Sequence, residues 1–183
     1  AAVIADILNT DYQLTSDVNE FNSYEGSKLS YSKQILDDEF FIAAESLLFQ
    51  RGISYQELSF IEYQNLPAFY PTYHKKSALP FDIFAAAFYM VTRYEEYLPY
   101  KKDEYGRFSS FESLAHKKGF LQKPIVNIWA LQLGELLKKT FPKLEIKGTK
   151  YKYIPTIDID AAWSYRQKGL FRTMGGYMNS LTR

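Results

Sequence analysis

The segment SALPFDIFAAAFYMVTRYEEYLPY, residues 77–100, does most to narrow the folds open to this chain. Pro80 suits the first turn of a helix and Pro99 stops one. Between them Ile83, Phe84, Ala87, Phe88, Val91 and Tyr94 recur at helical spacing and make one apolar stripe. Such a stripe has to be buried against another layer. A second amphipathic helix is expected over 124–142, with Pro124 at its start and Lys138 and Lys139 in its last turn, where cations complement the dipole. Short strand-like runs surround the two helices, at 12–16, 28–32 and 39–44, and at 58–71 as two strands around a Gln64–Asn65 turn. Helical turns are expected at 16–26 with Ser16 as the cap, at 45–52, and at 109–119 behind a Ser109–Glu112 capping box. The N-terminus reads as the last turns of a helix whose start is missing, with Val3, Ile4, Ile7 and Leu8 on one face.

Interleaved strands and helices predict an α/β fold. The expectation is one mixed sheet of about five strands over residues 1–150, with helices near 81–98 and 124–141 packed on it. The polar stretch KLEIKGTK, 143–150, is the natural boundary, and a long strand follows it over 151–159.

Hydrophobic residues make up 46% of the 183, enough for a packed core. Lys and Arg (22) nearly balance Asp and Glu (21), so charge gives no reason to expect nucleic acid or an anionic membrane as partner. Absence of cysteine excludes disulfides and thiolate metal sites. No apolar run reaches the roughly 18–20 residues of a membrane span, and the N-terminus is not a secretory signal. The cytoplasm is favoured. Aromatic residues reach 17%, which fits either a Tyr- and Phe-rich core or stacking platforms for sugars. TMGGY, 173–177, lacks the lysine and spacing of a phosphate loop.

The run YIPTIDID, 153–160, spaces two carboxylates two residues apart. On a strand Thr156, Asp158 and Asp160 share one face, and Ile157 and Ile159 the other. Adjacent carboxylates repel unless a cation joins them or one stays protonated. One aspartate holding a metal while the other serves as base resolves that conflict. In the plainer alternative Asp160 caps the next helix and Asp158 pairs with a Lys or Arg.

PTIDIDAAWSYRQKG resembles the opening of the polysaccharide deacetylase (NodB-homology) domain, carbohydrate esterase family 4. The resemblance implies a distorted (β/α) barrel, of which residues 151–183 would be only the beginning. It implies hydrolysis of N- or O-acetyl groups on carbohydrate with a divalent ion such as zinc. Asp158 would be the general base and Asp160 a metal ligand. The family's H-x-x-x-H ligands are absent, because the only histidines are His74 and His116. The expectation is an N-terminal portion of a longer bacterial protein, inactive alone and without a metal of its own. Residues 1–150, through LPFDIFAAAFYMVTRYEEYLP, DEYGRF and ESLAHKKGFLQKPIVNIWA, resemble an uncharacterised domain that precedes such deacetylases. The alternative is a non-catalytic module binding a glycan or a protein, with the deacetylase resemblance vestigial.

TRYEEY places Arg93, Glu96 and Tyr97 on one helix face, with Glu95 beside it. The group is either an intrahelical ion pair, worth under about 0.5 kcal/mol, or a docking surface for the protein's own C-terminal barrel. Glu95 and Glu96 diverge by about 100° on a helix, so they do not form a glycosidase pair.

Overall fold

Two separate two-stranded ladders, rather than one five-stranded sheet, make up the β structure of the described residues. The computed structural model describes residues 1–148, 151–158 and 169–181. The chain divides into two units, Ala1–Thr149 and Lys150–Arg183. The fold is mixed α/β with small sheets.

In the first unit, helix α1 (Ala2–Leu8) buries Ile4, Ala5 and Leu8, while Val3 faces out. Residues 12–16, expected as a strand, are exposed and irregular. Nothing apolar lies opposite them, so their β-propensity goes unused. Helix α2 (Val18–Ser23) is capped by Asp17 rather than Ser16, its carboxylate accepting from the Asn19 and Glu20 amides.

Strands β1 (Leu29–Ser32) and β2 (Phe40–Ala43) pair in parallel, with Leu29 opposite Phe40. Parallel neighbours are commonly joined by a helix. Here the Glu39 carboxylate organises the short link instead. Oε1 accepts from Ser30 Oγ (2.6 Å) and the Leu36 amide (2.9 Å), and Oε2 from the Asp37 amide (2.7 Å). Burial pushes the Glu39 carboxyl up, but these donors outweigh it and hold its pKa at about 2.

Strands β3 (Phe60–Tyr63) and β4 (Leu66–Phe69) form the expected hairpin. Gln64 and Asn65 both take positive φ, 50° and 62°. That is the twist a two-residue connection requires.

Helix α3 (Ile83–Val91) is the core helix, but it is shorter than expected. Of the expected stripe Ile83, Ala87 and Tyr94 are buried, whereas Phe88 and Val91 are exposed, and Asp82, Ala85, Ala86 and Tyr89 face inward as well. The segment is apolar nearly all round, so spacing alone does not select the buried face. The helix does not run on to residue 98. Arg93 adopts φ 53°, ψ 44°, and a 3-10 turn, Tyr94–Tyr97, follows. A left-handed residue after the last helical turn is a stop that usually falls to glycine.

Helix α4 (Leu114–Lys117) is capped by Ser113, whose Oγ accepts from the His116 amide. Ser109 instead caps the 3-10 turn Ser110–Glu112, and Glu112 pairs with Lys117 rather than closing a capping box. Helix α5 (Ile125–Thr140) matches expectation, including Lys138 and Lys139 in its last turn. It packs on α1, where a Cβ on Gly134 would meet Leu8 Cδ2 at 2.6 Å.

Part of the aromatic complement is core, with Phe41, Phe69, Phe81, Phe120 and Trp129 fully buried, while Tyr12, Tyr55, Tyr73, Tyr97, Tyr105 and Phe111 are among those exposed. Trp129 of α5 lies 5.6 Å from Phe69 and 5.4 Å from Phe81, ring centre to ring centre, and Phe69 also meets Tyr89. Edge-to-face pairs of this kind add to simple area burial.

In the second unit, residues 151–158 are exposed and without regular structure. The strand expected over 151–159 is therefore not seen in them, since no ladder partner pairs with their backbone. Residues 170–181 form helix α6 (Leu170–Leu181).

Candidate functional site

The carboxylate that holds the first unit together is Asp82, which is fully buried at the N-terminus of α3. Oδ1 accepts from the Phe84 (3.0 Å) and Ala85 (2.9 Å) amides. Oδ2 accepts from the Tyr31 hydroxyl and the Glu45 amide, both at 2.7 Å. Burial raises its pKa, with the four donors pulling the other way. Burial, with the nearby Asp82 charge, likewise raises Tyr31 and Glu45. Perturbed pKa values often mark catalytic groups. Here every acceptor position of Asp82 is already engaged by the protein, so the cluster is a tie between β1, the segment after β2, and α3.

An open polar cleft of about 620 Å³ lies elsewhere in the same unit. The left-handed turn at Arg93 brings its guanidinium beside the Glu96 carboxylate on one wall. The tight loop after Pro99 also lines the cleft. Asp103 accepts from the Tyr105 and Arg107 amides and from Arg107 Nε at 3.1 Å, and Lys102 and Phe108 close the loop as a β-bridge. The Arg107 amide leads the contacts that lower the Asp103 pKa. Tyr100 and Phe108 supply aromatic surface, their rings 5.0 Å apart and edge to face, and Ser109 and Ser110 add hydroxyl-bearing side chains.

The four residues expected as one docking face are divided by the fold. Arg93 and Glu96 line the polar cleft. Glu95 turns inward, where its Oε2 accepts from the Leu114 amide at 2.8 Å, and burial is the leading cause of its raised pKa. Tyr97 lines a separate apolar groove with Leu48, Ile53 and Phe88. A 3-10 turn advances 120° per residue rather than 100°, and the break at Arg93 resets the phase.

Tyr100, Asp103, Arg107 and Phe108 were not expected as site residues. The signal available was KKDEYGRF itself, an Asp–Gly turn with its charges and rings on a short loop.

Asp158 is exposed. Asp160 lies outside the described residues. Among the described residues no three His, Cys, Asp or Glu side chains are grouped to hold a metal ion. His74 packs edge to face with Phe41, and His116 with Phe111. One carboxylate is short of the roughly three protein ligands of a catalytic zinc site, so the residues described do not fit the metal that the deacetylase resemblance implies. No described helix is long and apolar enough to cross a membrane.

No curated protein and no solved structure matches the chain. Residues 1–142 match the model of a family of unknown function, DUF7033, and the chain belongs to that family.

Proposed function

We propose that this chain is the N-terminal portion of a metal-dependent carbohydrate deacetylase, with residues 1–149 an accessory module and the catalytic domain beginning in the second unit. The observation that carries this reading is the run Thr156-Ile157-Asp158-Ile159-Asp160, which opens shortly after the boundary at Thr149. The exposure of Asp158 supports it, because a base has to be reachable by water and substrate. Asp158 would take a proton from the water that adds to the acetyl carbonyl, the acyl bond to the sugar nitrogen or oxygen would then break with that atom gaining a proton and acetate released, and Asp160 would supply a carboxylate to a divalent metal. Two aspartates are fewer than the roughly three protein ligands of a catalytic zinc site, so on this reading further ligands are required beyond the Asp158–Asp160 run.

The test is to express the chain extended C-terminally through the next domain and to measure acetate release from N-acetylated chitooligosaccharides and acetylated xylan with zinc present. Release that disappears in Asp158→Asn, without loss of folding, supports the proposal. Absence of release from both substrates, or release unaffected by Asp158→Asn, overturns it.

A further inference from the structure

The polar cleft of the first unit has a charge balance that selects its ligand. Its walls carry two guanidinium groups, Arg93 and Arg107, and two carboxylates, Glu96 and Asp103, so their formal charges cancel. A site for phosphate or a polyanion concentrates unopposed positive charge and donors. This cleft instead sets a donor directly beside an acceptor twice, as the pairs Arg93–Glu96 and Arg107–Asp103. A hydroxyl both donates and accepts. Neighbouring hydroxyls on one sugar ring match such alternation, each accepting from a guanidinium and donating to a carboxylate.

Three further features agree. Tyr100 and Phe108 offer aromatic surface to the apolar C–H face of a pyranose. The two arginine side chains are 72% and 69% exposed, so a ligand reaches them without opening the fold. The volume of about 620 Å³ lies inside the range of roughly 300–1,000 Å³ usual for small-molecule sites.

Arg93 adds an independent argument. A non-glycine residue at φ 53° is held in the left-handed region at a cost in backbone strain. Its exposed ion pair returns little of that. Glycine would stop α3 at lower cost, so the guanidinium stands here against local backbone preference.

We infer that this cleft binds an uncharged saccharide through Arg93, Glu96, Asp103 and Arg107, with Tyr100 and Phe108 as the stacking surface. The inference rests on the reading of residues 1–149 as a module that serves a carbohydrate enzyme. It gives that module a task, which is to hold the glycan chain while the catalytic domain acts on it.

The experiment is titration of the 183-residue chain with N-acetylchitotriose and with cellotriose, followed by calorimetry and by amide chemical shifts. The expected result is saturable binding of at least one of them, with shifts at residues 93–110. Arg107→Ala is expected to weaken binding at least tenfold while leaving the thermal midpoint within about 1 °C. Arg93→Gly is expected to weaken it at least threefold while raising the midpoint, which a merely structural role for Arg93 would not produce. Three outcomes overturn the inference: no saturable binding of either sugar, binding unchanged in both variants, or tighter binding of trigalacturonate or inorganic phosphate at the same residues. Acetate release by the extended protein without sugar binding here overturns the inference alone and leaves the deacetylase reading standing.

Discussion

Asp82 and Asp103 belong to the same unit, and each gathers several donors, yet burial gives them different roles. Asp82 is fully buried, two of its four donors come from distant parts of the chain and two from its own helix, and its pKa is raised. Asp103 stands at the rim of an open cleft, its donors come from its own loop, and its pKa is lowered. A carboxylate whose every lone pair is engaged inside the core has nothing left for a ligand. One that shapes a surface loop keeps capacity facing water. A perturbed pKa alone does not mark a working site; the accessible remainder of its hydrogen-bonding capacity does.

The largest effect expected follows from Asp82. Asp82→Ala leaves the Tyr31 hydroxyl and the Glu45, Phe84 and Ala85 amides without their acceptor, and removes the cap of α3. Buried unsatisfied groups cost about 1–3 kcal/mol each when relaxation is limited, and a lost cap about 1 kcal/mol. A total loss of about 3–5 kcal/mol is expected in urea unfolding, enough to leave a domain of ordinary stability marginal. Tyr31→Phe, which removes one of the four donors, is expected to cost about 1–2 kcal/mol. A loss below about 1 kcal/mol for Asp82→Ala would place the cluster with the surface carboxylates and break the contrast.

Glu39 lies between the two extremes and makes the contrast titratable. Its folded pKa, about 2, lies below the ordinary 4.5. The sign follows from linkage: a depressed carboxyl stabilises the fold above its unfolded pKa, and that contribution is lost as pH falls through the folded value. Glu39→Gln is expected to cost about 1–2 kcal/mol near pH 7. The gap between variant and parent is expected to close as pH falls from about 4.5 towards 2. Parallel pH–stability curves for the two proteins would show that the β1–β2 link does not depend on the charge.

Much of the first unit was legible in its residues. Asn65 after Gln64 marks the hairpin, and Pro124 with Lys138 and Lys139 brackets α5, because these signals are local. The five-stranded sheet was not legible. Strand-like runs such as 12–16 have the propensity to pair, but pairing depends on a partner elsewhere in the chain. The buried face of α3 was legible only in part, at Ile83, Ala87 and Tyr94 but not at Phe88 and Val91, because an almost wholly apolar segment carries no phase. Asp82 stands in the cap position just before that segment and was there to be read; its meeting with Tyr31 and Glu45 was not, since it spans 51 and 37 residues. The cleft stayed hidden for a related reason. Arg93 and Glu96 line it beside a left-handed turn that a non-glycine residue does not advertise.

That turn gives a smaller effect of opposite sign. Arg93→Gly removes an exposed ion pair worth under about 0.5 kcal/mol and relieves about 1 kcal/mol of backbone strain. Glycine also makes the unfolded chain more flexible, which takes back part of the gain. A net stabilisation of about 0.5 kcal/mol is expected, read as a small rise in thermal midpoint. A loss of 1 kcal/mol or more would mean that the Arg93 side chain supports the fold, and would remove the argument that it is kept for a ligand.

The smallest effect belongs to Asp158, which stands furthest from the Asp82 pattern. It is exposed, in a segment without regular structure. Water solvates such a carboxylate in both the folded and the unfolded chain, so replacing it changes little between them. Asp158→Asn in the 183-residue chain is therefore expected to shift stability by less than about 0.5 kcal/mol. The same ligand arithmetic predicts weak metal binding: one solvated aspartate, with Asp160 nearby in sequence and both histidines packed edge to face with phenylalanine rings in the first unit, does not reach the three ligands of a zinc site. Zinc titration of this chain by calorimetry is expected to show no stoichiometric site tighter than micromolar. A tight site lost in Asp160→Asn would mean that the chain already holds a complete metal centre, and the division of labour between accessory unit and catalytic continuation would have to be redrawn.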